Sequence, residues 1–205
     1  MSRADQRTIR RIFAGAPGEA EAASKRVIEL ADREGLAEVA YASFDSPIGT
    51  GHVAATERGI VAVGLPNRAE DDFLAELATE ISPRVLELPS RLDEARRELD
   101  QYFDRDRERF ELELDWRLVP RGFYGRVLRA TAKLPFGATA TYGEMAGRAG
   151  NARAFRAAGT ALGSNPIPIV VPCHRVVRAG GELGEYGGGP RMKEFLLRLE
   201  GALGD

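Results

Sequence analysis

The chain has 205 residues, 43% of them hydrophobic and 29% charged, with a formal net charge of −2. This composition supports one large domain or two small ones with a true core. No long apolar run and no hydrophobic leader stand out, so we expect no membrane span and a cytosolic protein. The single cysteine excludes an internal disulfide and a cysteine-rich zinc site, and we assign neither a metal nor a cofactor.

Charge is divided unevenly along the chain. Residues 1–119 carry 17 basic and 25 acidic side chains, whereas residues 120–205 carry 12 basic and 6 acidic ones. Between residues 121 and 165, seven basic residues are opposed only by Glu144. A basic half of this kind is typical of proteins that bind a polyanion such as DNA, although uneven surface charge is common in itself.

The chain is predicted to have three parts. Residues 1–36 form an N-terminal extension, helical or mobile. Residues 37–118 form an N-terminal α/β domain, and residues 119–205 form a C-terminal domain that carries the basic excess. The boundary falls at Val119-Pro120-Arg121-Gly122, because linker-like residues coincide there with the change in charge.

The N-terminal domain is predicted to combine an antiparallel sheet with amphipathic helices. Three short segments separated by turn residues form a meander, and apolar residues recur at helical spacing after it. Phe110, Leu112, Leu114 and Trp116 alternate with charged residues and predict one more strand. The predicted strands of the meander are 39–44, 51–56 and 60–65, and the predicted helices, one of them in the extension, lie near 19–34, 74–81 and 90–103.

The C-terminal domain begins with a predicted helix over about 123–133. After it, Thr141 and Glu144 have the spacing of a capping box, which predicts a short helix that ends near Gly150. The domain therefore starts as a helical unit, in contrast to the sheet before it.

A second short helix completes a helix-turn-helix pattern. Asn151 can cap a helix that begins at Ala152 and is unusually rich in small residues. Two short helices with a glycine-containing turn are typical of DNA-binding proteins, although most helix pairs bind no DNA. Arg153 and Arg156 fall in the first turns of this helix, where an arginine opposes the helix dipole and so suggests another use.

A cysteine beside a histidine, Cys173 and His174, is the strongest chemical signal in the chain. A thiolate is the nucleophilic form of cysteine, and a neighbouring base favours it. The alternative is a buried structural cysteine beside a satisfied histidine. Because successive strand residues face opposite sides, the pair can cooperate only if the chain turns there. The flanking Pro168 and Pro172 argue against an ordinary strand, so we predict a turn or a short helical step.

The stretch after the cysteine is rich in glycine and leads into a final helix. Glycines around Tyr186 permit close backbone approach to a flat ligand, or they form only a flexible loop. Pro190 suits the first turn of a helix, and Glu200 lies at the edge of its apolar stripe. A carboxylate there is either a surface charge or a partner that raises the basicity of His174.

Residues 135–201 closely resemble the C-terminal domain of the O6-alkylguanine-DNA alkyltransferases, also called methylated-DNA–protein-cysteine methyltransferases. The order and spacing of the motifs are highly specific. The stretch from about residue 38 to Trp116 resembles the less distinctive N-terminal domain of that family, and the first 36 residues are not covered. The matching motifs are Pro135-Phe136-Gly137, Thr141-Tyr142-Gly143-Glu144, Ala154-Phe155-Arg156-Ala157, Asn165-Pro166, Pro172-Cys173-His174-Arg175-Val176, Tyr186 with its glycines, and Lys193 with Leu197-Arg198-Leu199-Glu200-Gly201.

The resemblance implies an α+β fold: a ribonuclease H-like N-terminal domain and a mainly helical, winged helix-turn-helix-like C-terminal domain. It implies DNA repair by one irreversible transfer of the alkyl group from O6-alkylguanine, and also from O4-alkylthymine, to Cys173. Such a suicidal methyltransferase of the bacterial cytosol and nucleoid needs no cofactor. The implied partner is double-stranded DNA, bound by a monomer in the minor groove with the damaged base flipped out; cooperative binding along DNA stays open.

The resemblance also assigns catalytic roles by position. Cys173 is the acceptor, His174 is its base through a bound water, and Glu200 orients the histidine. Asn165 helps to order the site, and Tyr142 assists the departure of guanine by donating a proton.

Two further groups of residues follow from the same resemblance. Arg156 is expected to enter the base stack in place of the flipped nucleotide. Departures at Gly187 and Pro190 from residues common in the family leave the range of alkyl groups open. The residues implied in DNA contact are Thr141, Tyr142, Arg153, Ala154, Arg156 and Arg175. The residues implied to form the substrate pocket are Pro172, Val176, Tyr186, Gly187 and Gly188.

Two other functions compete with repair. A protein that binds the lesion without repairing it would have lost the cysteine, and Cys173 is present. A cysteine-dependent hydrolase fits poorly, because its nucleophile and base would be adjacent in sequence and the helix-turn-helix would have no use.

Overall fold

The computed structural model describes residues 19–204, and its N-terminal domain is built on a four-stranded sheet. The strands are β1 (Val39–Phe44), β2 (Gly51–Thr56), β3 (Gly59–Gly64) and β4 (Val85–Glu87). Their order is β3-β2-β1-β4, with antiparallel pairing from β3 to β1 and parallel pairing between β1 and β4. The predicted meander is therefore confirmed. A short fourth strand, reached through a helix, makes the sheet mixed.

Three helices, α1 (Glu19–Arg33), α2 (Glu70–Glu80) and α3 (Asp93–Phe103), accompany the sheet. Neighbouring strand residues face opposite sides, so Val53 and Ala54 of β2 belong to different clusters. Ala54 packs with Phe73 of α2, whereas Val53 lies in the same cluster as Leu99 of α3. The sheet is thus covered on both faces. Helix α1 matches the helix predicted for the extension, and residues 1–18 of that extension lie outside the described residues.

The strand predicted across residues 110–116 is wrong. Only one residue bridge, between Ile60 and Leu114, joins this segment to the sheet. The backbone N–H of Ile60 donates to the carbonyl of Glu113 at 2.8 Å, and Gly59 leaves no room for a Cβ, which would lie 2.2 Å from that oxygen. The alternating pattern arises because Phe110, Leu112 and Leu114 pack against the core from a segment without a continuous strand partner.

The C-terminal domain is mainly helical. Its helices are α4 (Phe123–Thr131), α5 (Tyr142–Arg148), α6 (Phe155–Gly163) and α7 (Pro190–Leu199), and its two-residue strands are β5 (Ala140–Thr141) and β6 (Val176–Val177). Helices α4, α5 and α6 pack against one another, while β5 and β6 pair in parallel. Thr141 accepts from the N–H of Glu144 at 3.2 Å, and Glu144 accepts from the N–H of Thr141 at 2.6 Å. This confirms the predicted capping box.

The second helix of the pair starts three residues later than predicted. The side chain of Asn151 accepts from the N–H of Arg153 at 3.2 Å, and the carbonyl of Asn151 accepts from Ala154 at 3.0 Å. Asn151 therefore closes a turn in place of capping a helix. Helix α6 begins only at Phe155, with Ala154 as its N-cap residue. Arg156 is consequently in the first turn of α6, and Arg153 lies in the turn before it.

One apolar core runs through both domains. It includes Leu99 and Tyr102 from α3 together with Val127 and Leu128 from α4. Within residues 19–204 no helix has the length and hydropathy needed to cross a membrane.

Shortening a core leucine should test this packing. Leu99 is 0% exposed, and Leu99→Ala should lower the free energy of unfolding by about 2–5 kcal/mol, because it removes buried methyl groups and leaves a cavity. Leu30→Ala is the matched control, since Leu30 is 58% exposed on α1 and should change stability by no more than about 0.5 kcal/mol. Chemical denaturation of both variants measures the difference. Equal losses would contradict the assigned packing.

Candidate active site

Cys173 opens a single 3-10 turn, Cys173–Arg175, and does not lie in a strand. This confirms the predicted turn. The N–H of Cys173 donates to the carbonyl of Val171 at 2.8 Å, and Ile169 just upstream has a φ of 72°. That value is unusual for a β-branched residue and marks a strained approach to the turn. The turn lets neighbouring side chains take different directions: Cys173 lines a cavity, and His174 is fully buried behind it.

Asn165, two residues beyond the end of α6, holds the thiol. Its Nδ2 donates to Cys173 Sγ at 3.1 Å and to the carbonyl of Val171 at 2.8 Å, while its Oδ1 accepts from Ile167 at 3.1 Å. Burial raises the pKa of the Cys173 thiol, and the Asn165 hydrogen bond and the charge of Lys193 oppose that rise. The thiol is therefore protonated at neutral pH and needs a base at the moment of reaction.

His174 is paired with a carboxylate inside the protein. Its Nε2 lies 2.8 Å from Glu200 Oε1, and the side chains of both residues are fully buried. An ionised carboxylate only accepts hydrogen bonds, so Nε2 carries a proton. Burial lowers the pKa of His174, against the raising effect of Glu200. The imidazole is then neutral, and its Nδ1, which has no partner among the described residues, is the lone-pair nitrogen available as a base.

Glu200 accepts hydrogen bonds from three further residues. Arg175 donates to both of its oxygens at 2.8 and 2.9 Å, the N–H of Gly137 donates at 3.2 Å, and the hydroxyl of Tyr102 donates at 2.7 Å. Burial raises the pKa of Glu200, but the hydrogen bonds from His174 and Arg175 outweigh burial and lower it to about 2. Glu200 is thus a fixed negative charge at neutral pH.

The side chain of Arg175 does not lie where the DNA contact implied by the resemblance would place it. It is 5% exposed, and besides Glu200 it donates to the carbonyl of Leu134. Its guanidinium is therefore directed into the protein and engaged there, so we do not place Arg175 on a DNA-contact surface. A buried bidentate partner for a carboxylate explains an arginine at this position.

The thiol opens into a cavity of about 820 Å³. Its walls come from the start of α5, from α6 and from the loop between β6 and α7, and Phe155 on α6 is half exposed at this cavity. Six of the predicted site residues line it, namely Thr141, Tyr142, Arg156, Cys173, Tyr186 and Gly187. A cleft of this size with one nucleophile is suited to a small flat ligand.

Tyr142 forms part of the cavity wall and is packed against two glycines. A Cβ on Gly184, whose φ is 69°, would lie 2.8 Å from the Tyr142 hydroxyl, and a Cβ on Gly159 would lie 3.7 Å from its ring. The hydroxyl donates to the carbonyl of Glu185 at 3.4 Å. Burial raises the pKa of Tyr142, so its hydroxyl keeps its proton at neutral pH.

Several predicted residues lie away from the cavity walls. Asn165, His174 and Glu200 are behind Cys173 in the hydrogen-bond network described above. Pro172 and Val176 are buried, and Gly188 packs against Met192, where a Cβ would lie 2.2 Å from the sulfur. Arg153 and Ala154 lie in the turn before α6, next to the cavity residues Phe155 and Arg156.

Two residues that contact the site were given no role from the sequence. Lys193 is fully buried on α7, and its Nζ donates to the carbonyls of Val176 at 2.5 Å and Glu185 at 3.3 Å. Burial lowers its pKa to about 8. Tyr102, the other residue, comes from α3 in the N-terminal domain. The sequence did offer a signal for Lys193, because a lysine within an apolar helix stripe is unusual. Nothing in the local pattern marks Tyr102.

Two family models together match most of the chain. The model described as "6-O-methylguanine DNA methyltransferase, ribonuclease-like domain" matches residues 39–116. The model described as "6-O-methylguanine DNA methyltransferase, DNA binding domain" matches residues 122–202.

Similar proteins carry a consistent name. A methylated-DNA–protein-cysteine methyltransferase of Methanosarcina acetivorans is 39% identical over 164 residues, covering 79% of this chain and 98% of that protein. A protein of the same name from Mycobacterium tuberculosis is 39% identical over 160 residues, covering 78% of this chain and 91% of that protein.

Solved structures agree with these matches. A crystal structure of Mycobacterium tuberculosis O6-methylguanine methyltransferase has a TM-score of 0.68 at 36% identity, covering 79% of this chain and 92% of that chain. A structure of Mycobacterium tuberculosis OGT in complex with DNA has a TM-score of 0.68 at 35% identity, covering 78% and 92%. With two family models, near-complete coverage of its relatives and this fold, the chain belongs to the O6-alkylguanine-DNA alkyltransferase family.

Proposed function

We propose that this protein repairs DNA by moving the alkyl group of O6-alkylguanine onto its own Cys173, once per molecule. The observation that carries the assignment is the arrangement around the thiol. Cys173 faces a cavity that can take a base, Asn165 donates to its sulfur at 3.1 Å, and the buried His174–Glu200 pair lies behind it. Family membership and the names of the relatives support the same reaction.

The reaction is a single displacement at the alkyl carbon. The Sγ–C bond forms as the C–O6 bond breaks, and the electron pair of that bond leaves with guanine. His174 Nδ1 takes the thiol proton, through a water that bridges the two groups, and the departing guanine receives a proton from the hydroxyl of Tyr142. No step regenerates the thiol, so each molecule acts once.

Glu200 acts through His174. Its charge stabilises the imidazolium that forms when the thiol loses its proton, and its bond to Nε2 keeps Nδ1 free to accept. Asn165 acts on the other partner, because a hydrogen bond to sulfur favours the thiolate over the thiol.

DNA is proposed to bind along α5 and α6. A base within a duplex cannot reach a thiol at the floor of a cavity, so the damaged nucleotide must leave the stack. Arg156 and Phe155 are exposed at the mouth of that cavity, with the guanidinium 5.6 Å from the ring centre. We assign Arg156 to the gap left in the stack, and Thr141, Arg153 and Ala154 to the adjoining DNA surface in the minor groove.

Mixing the protein with a duplex that carries one O6-methylguanine should add one methyl group per protein molecule. Intact-mass measurement followed by peptide mapping should place the methyl on Cys173, the only cysteine. Cys173→Ala should accept no methyl and should still bind the lesion, because the cavity walls stay in place. An unchanged mass of the parent protein, with tight lesion binding, would instead favour a lesion-binding protein that does not repair.

Glu200→Gln should slow transfer at neutral pH by about tenfold or more, since a less basic His174 is a weaker general base. Tyr102→Phe removes only one of the donors to Glu200, so its transfer rate should fall less. Rates from rapid-quench experiments over a pH series measure both effects. A Glu200→Gln rate equal to that of the parent would remove the carboxylate from the mechanism.

Glu200→Gln should also change how the free energy of unfolding depends on pH. The pKa of Glu200 falls from 4.5 to about 2 on folding, so its contribution is complete above pH 4.5 and is lost as pH falls towards 2. A shift of this size corresponds to roughly 3 kcal/mol. The parent should therefore be much more stable than Glu200→Gln at pH 7, and the difference should shrink between pH 4.5 and 2. Acid titration of the unfolding free energy tests this, and a constant difference would contradict it.

Arg156→Ala should slow transfer from duplex DNA by roughly tenfold, the effect of losing about 1.4 kcal/mol of stabilisation of the flipped state. Transfer from a single-stranded oligonucleotide should change much less, because an unpaired base needs no replacement in the stack. Arg97→Ala, an exposed change on α3 in the other domain, serves as the control of equal charge. Equal slowing on single and double strands would contradict the stacking role.

A further inference from the structure

A second cavity, of about 690 Å³, lies where the linker meets both domains. We call it the linker cleft. It is bordered by the turn between β2 and β3, the segment before α4, and the first two turns of α4. Five arginines and one acid line it, namely Arg58, Arg117, Arg121, Arg126, Arg129 and Asp115.

Most of the positive charge in the linker cleft is not neutralised. Asp115 is buried and already accepts from Thr56 at 2.6 Å and from Arg117 at 2.6 Å. The other four arginines have no carboxylate within 4.0 Å among the described side chains. Arg129 instead stacks over the Trp116 ring at 4.5 Å. All five arginines are exposed, so the guanidinium N–H groups that are not used within the protein remain available to a ligand.

The linker cleft adjoins the helix pair assigned to DNA. Arg126, in the first turn of α4, donates through Nε to the carbonyl of Ala149 at 2.8 Å. Ala149 ends α5 and begins the turn into α6. The arginine cluster therefore continues from that turn onto the linker and reaches the N-terminal domain at Arg58.

We propose that the linker cleft binds backbone phosphates of the DNA duplex beside the damaged base. Guanidinium groups are donors only and match phosphate oxygens. Asp115 is the one lining side chain with acceptor oxygens, and it is engaged by Thr56 and Arg117, so the lining side chains suit phosphate contact. Phosphate contacts do not depend on the base sequence of the DNA, so they suit a protein that must find a damaged base at any position. The proposal rests on the proposed function, since it takes the DNA to lie on α5 and α6.

One arginine from the N-terminal domain and one from the linker are suited to a test. Arg58 lies in a turn of the N-terminal domain and Arg121 in the linker, and neither has a carboxylate partner or a place in the site around Cys173. The variant R58A/R121A should bind an undamaged duplex more weakly than the parent. The slope of log K against log salt should become shallower by about 1.8, because each lost phosphate contact removes about 0.9.

The control variant R33A/R84A removes the same charge elsewhere. Arg84 lies beside β4, at the opposite edge of the sheet from the turn that carries Arg58, and Arg33 ends α1. Its salt slope should equal that of the parent. Alkylation of Cys173 by iodoacetamide should proceed at the parental rate in both variants, which checks that the active site is intact.

The outcomes separate the two proposals. If the parent accepts a methyl group but R58A/R121A has the same salt slope as the control, the linker cleft does not bind DNA. If the shallower slope is found while the parent accepts no methyl group, the phosphate site stands and the repair assignment fails. If the slope is unchanged but the parent alone is stabilised against heat by inorganic phosphate, the cleft is a small-anion site and the DNA proposal is overturned.

Discussion

The buried charge of Glu200 is the constraint on which the site depends. An ionised carboxylate in the interior is tolerable only when its oxygens are well supplied with donors. Here the donors come from α3, from the loop before β5 and from the turn at Cys173, so satisfying one carboxylate brings three distant segments together. The placement of His174 follows from this, since its Nε2 is held by the same carboxylate.

Burial also sets the protonation state of the thiol. Burial keeps Cys173 protonated, and the neutral histidine offers a lone pair that is not consumed by the carboxylate. In the proposed mechanism the thiolate therefore forms only as His174 accepts the proton of Cys173. A thiol that stayed ionised in the free protein would be open to adventitious alkylation and oxidation.

Local pattern and resemblance predicted much of this architecture. The meander, the capping box at Thr141 and the turn at Cys173 are governed by neighbouring residues, and all three are present. The prediction of a strand at 110–116 was wrong because alternating apolar and charged residues show only that one side of a segment is buried. They do not show that a neighbouring strand pairs with it. The inward direction of Arg175 and the contact from Tyr102 depend on segments far apart in the chain, and periodicity carries no information about such distances.

The hydrogen bond from Tyr102 to Glu200 joins the two domains through the buried carboxylate. Linkage between two equilibria is reciprocal, so a contact that changes the proton affinity of His174 must itself be strengthened or weakened when His174 gains a proton. The docking of the N-terminal domain is therefore thermodynamically coupled to the chemistry on the other side of the linker. In the proposed mechanism the sheet domain, which contributes no residue to the cavity wall, therefore acts on the thiol through Tyr102, Glu200 and His174.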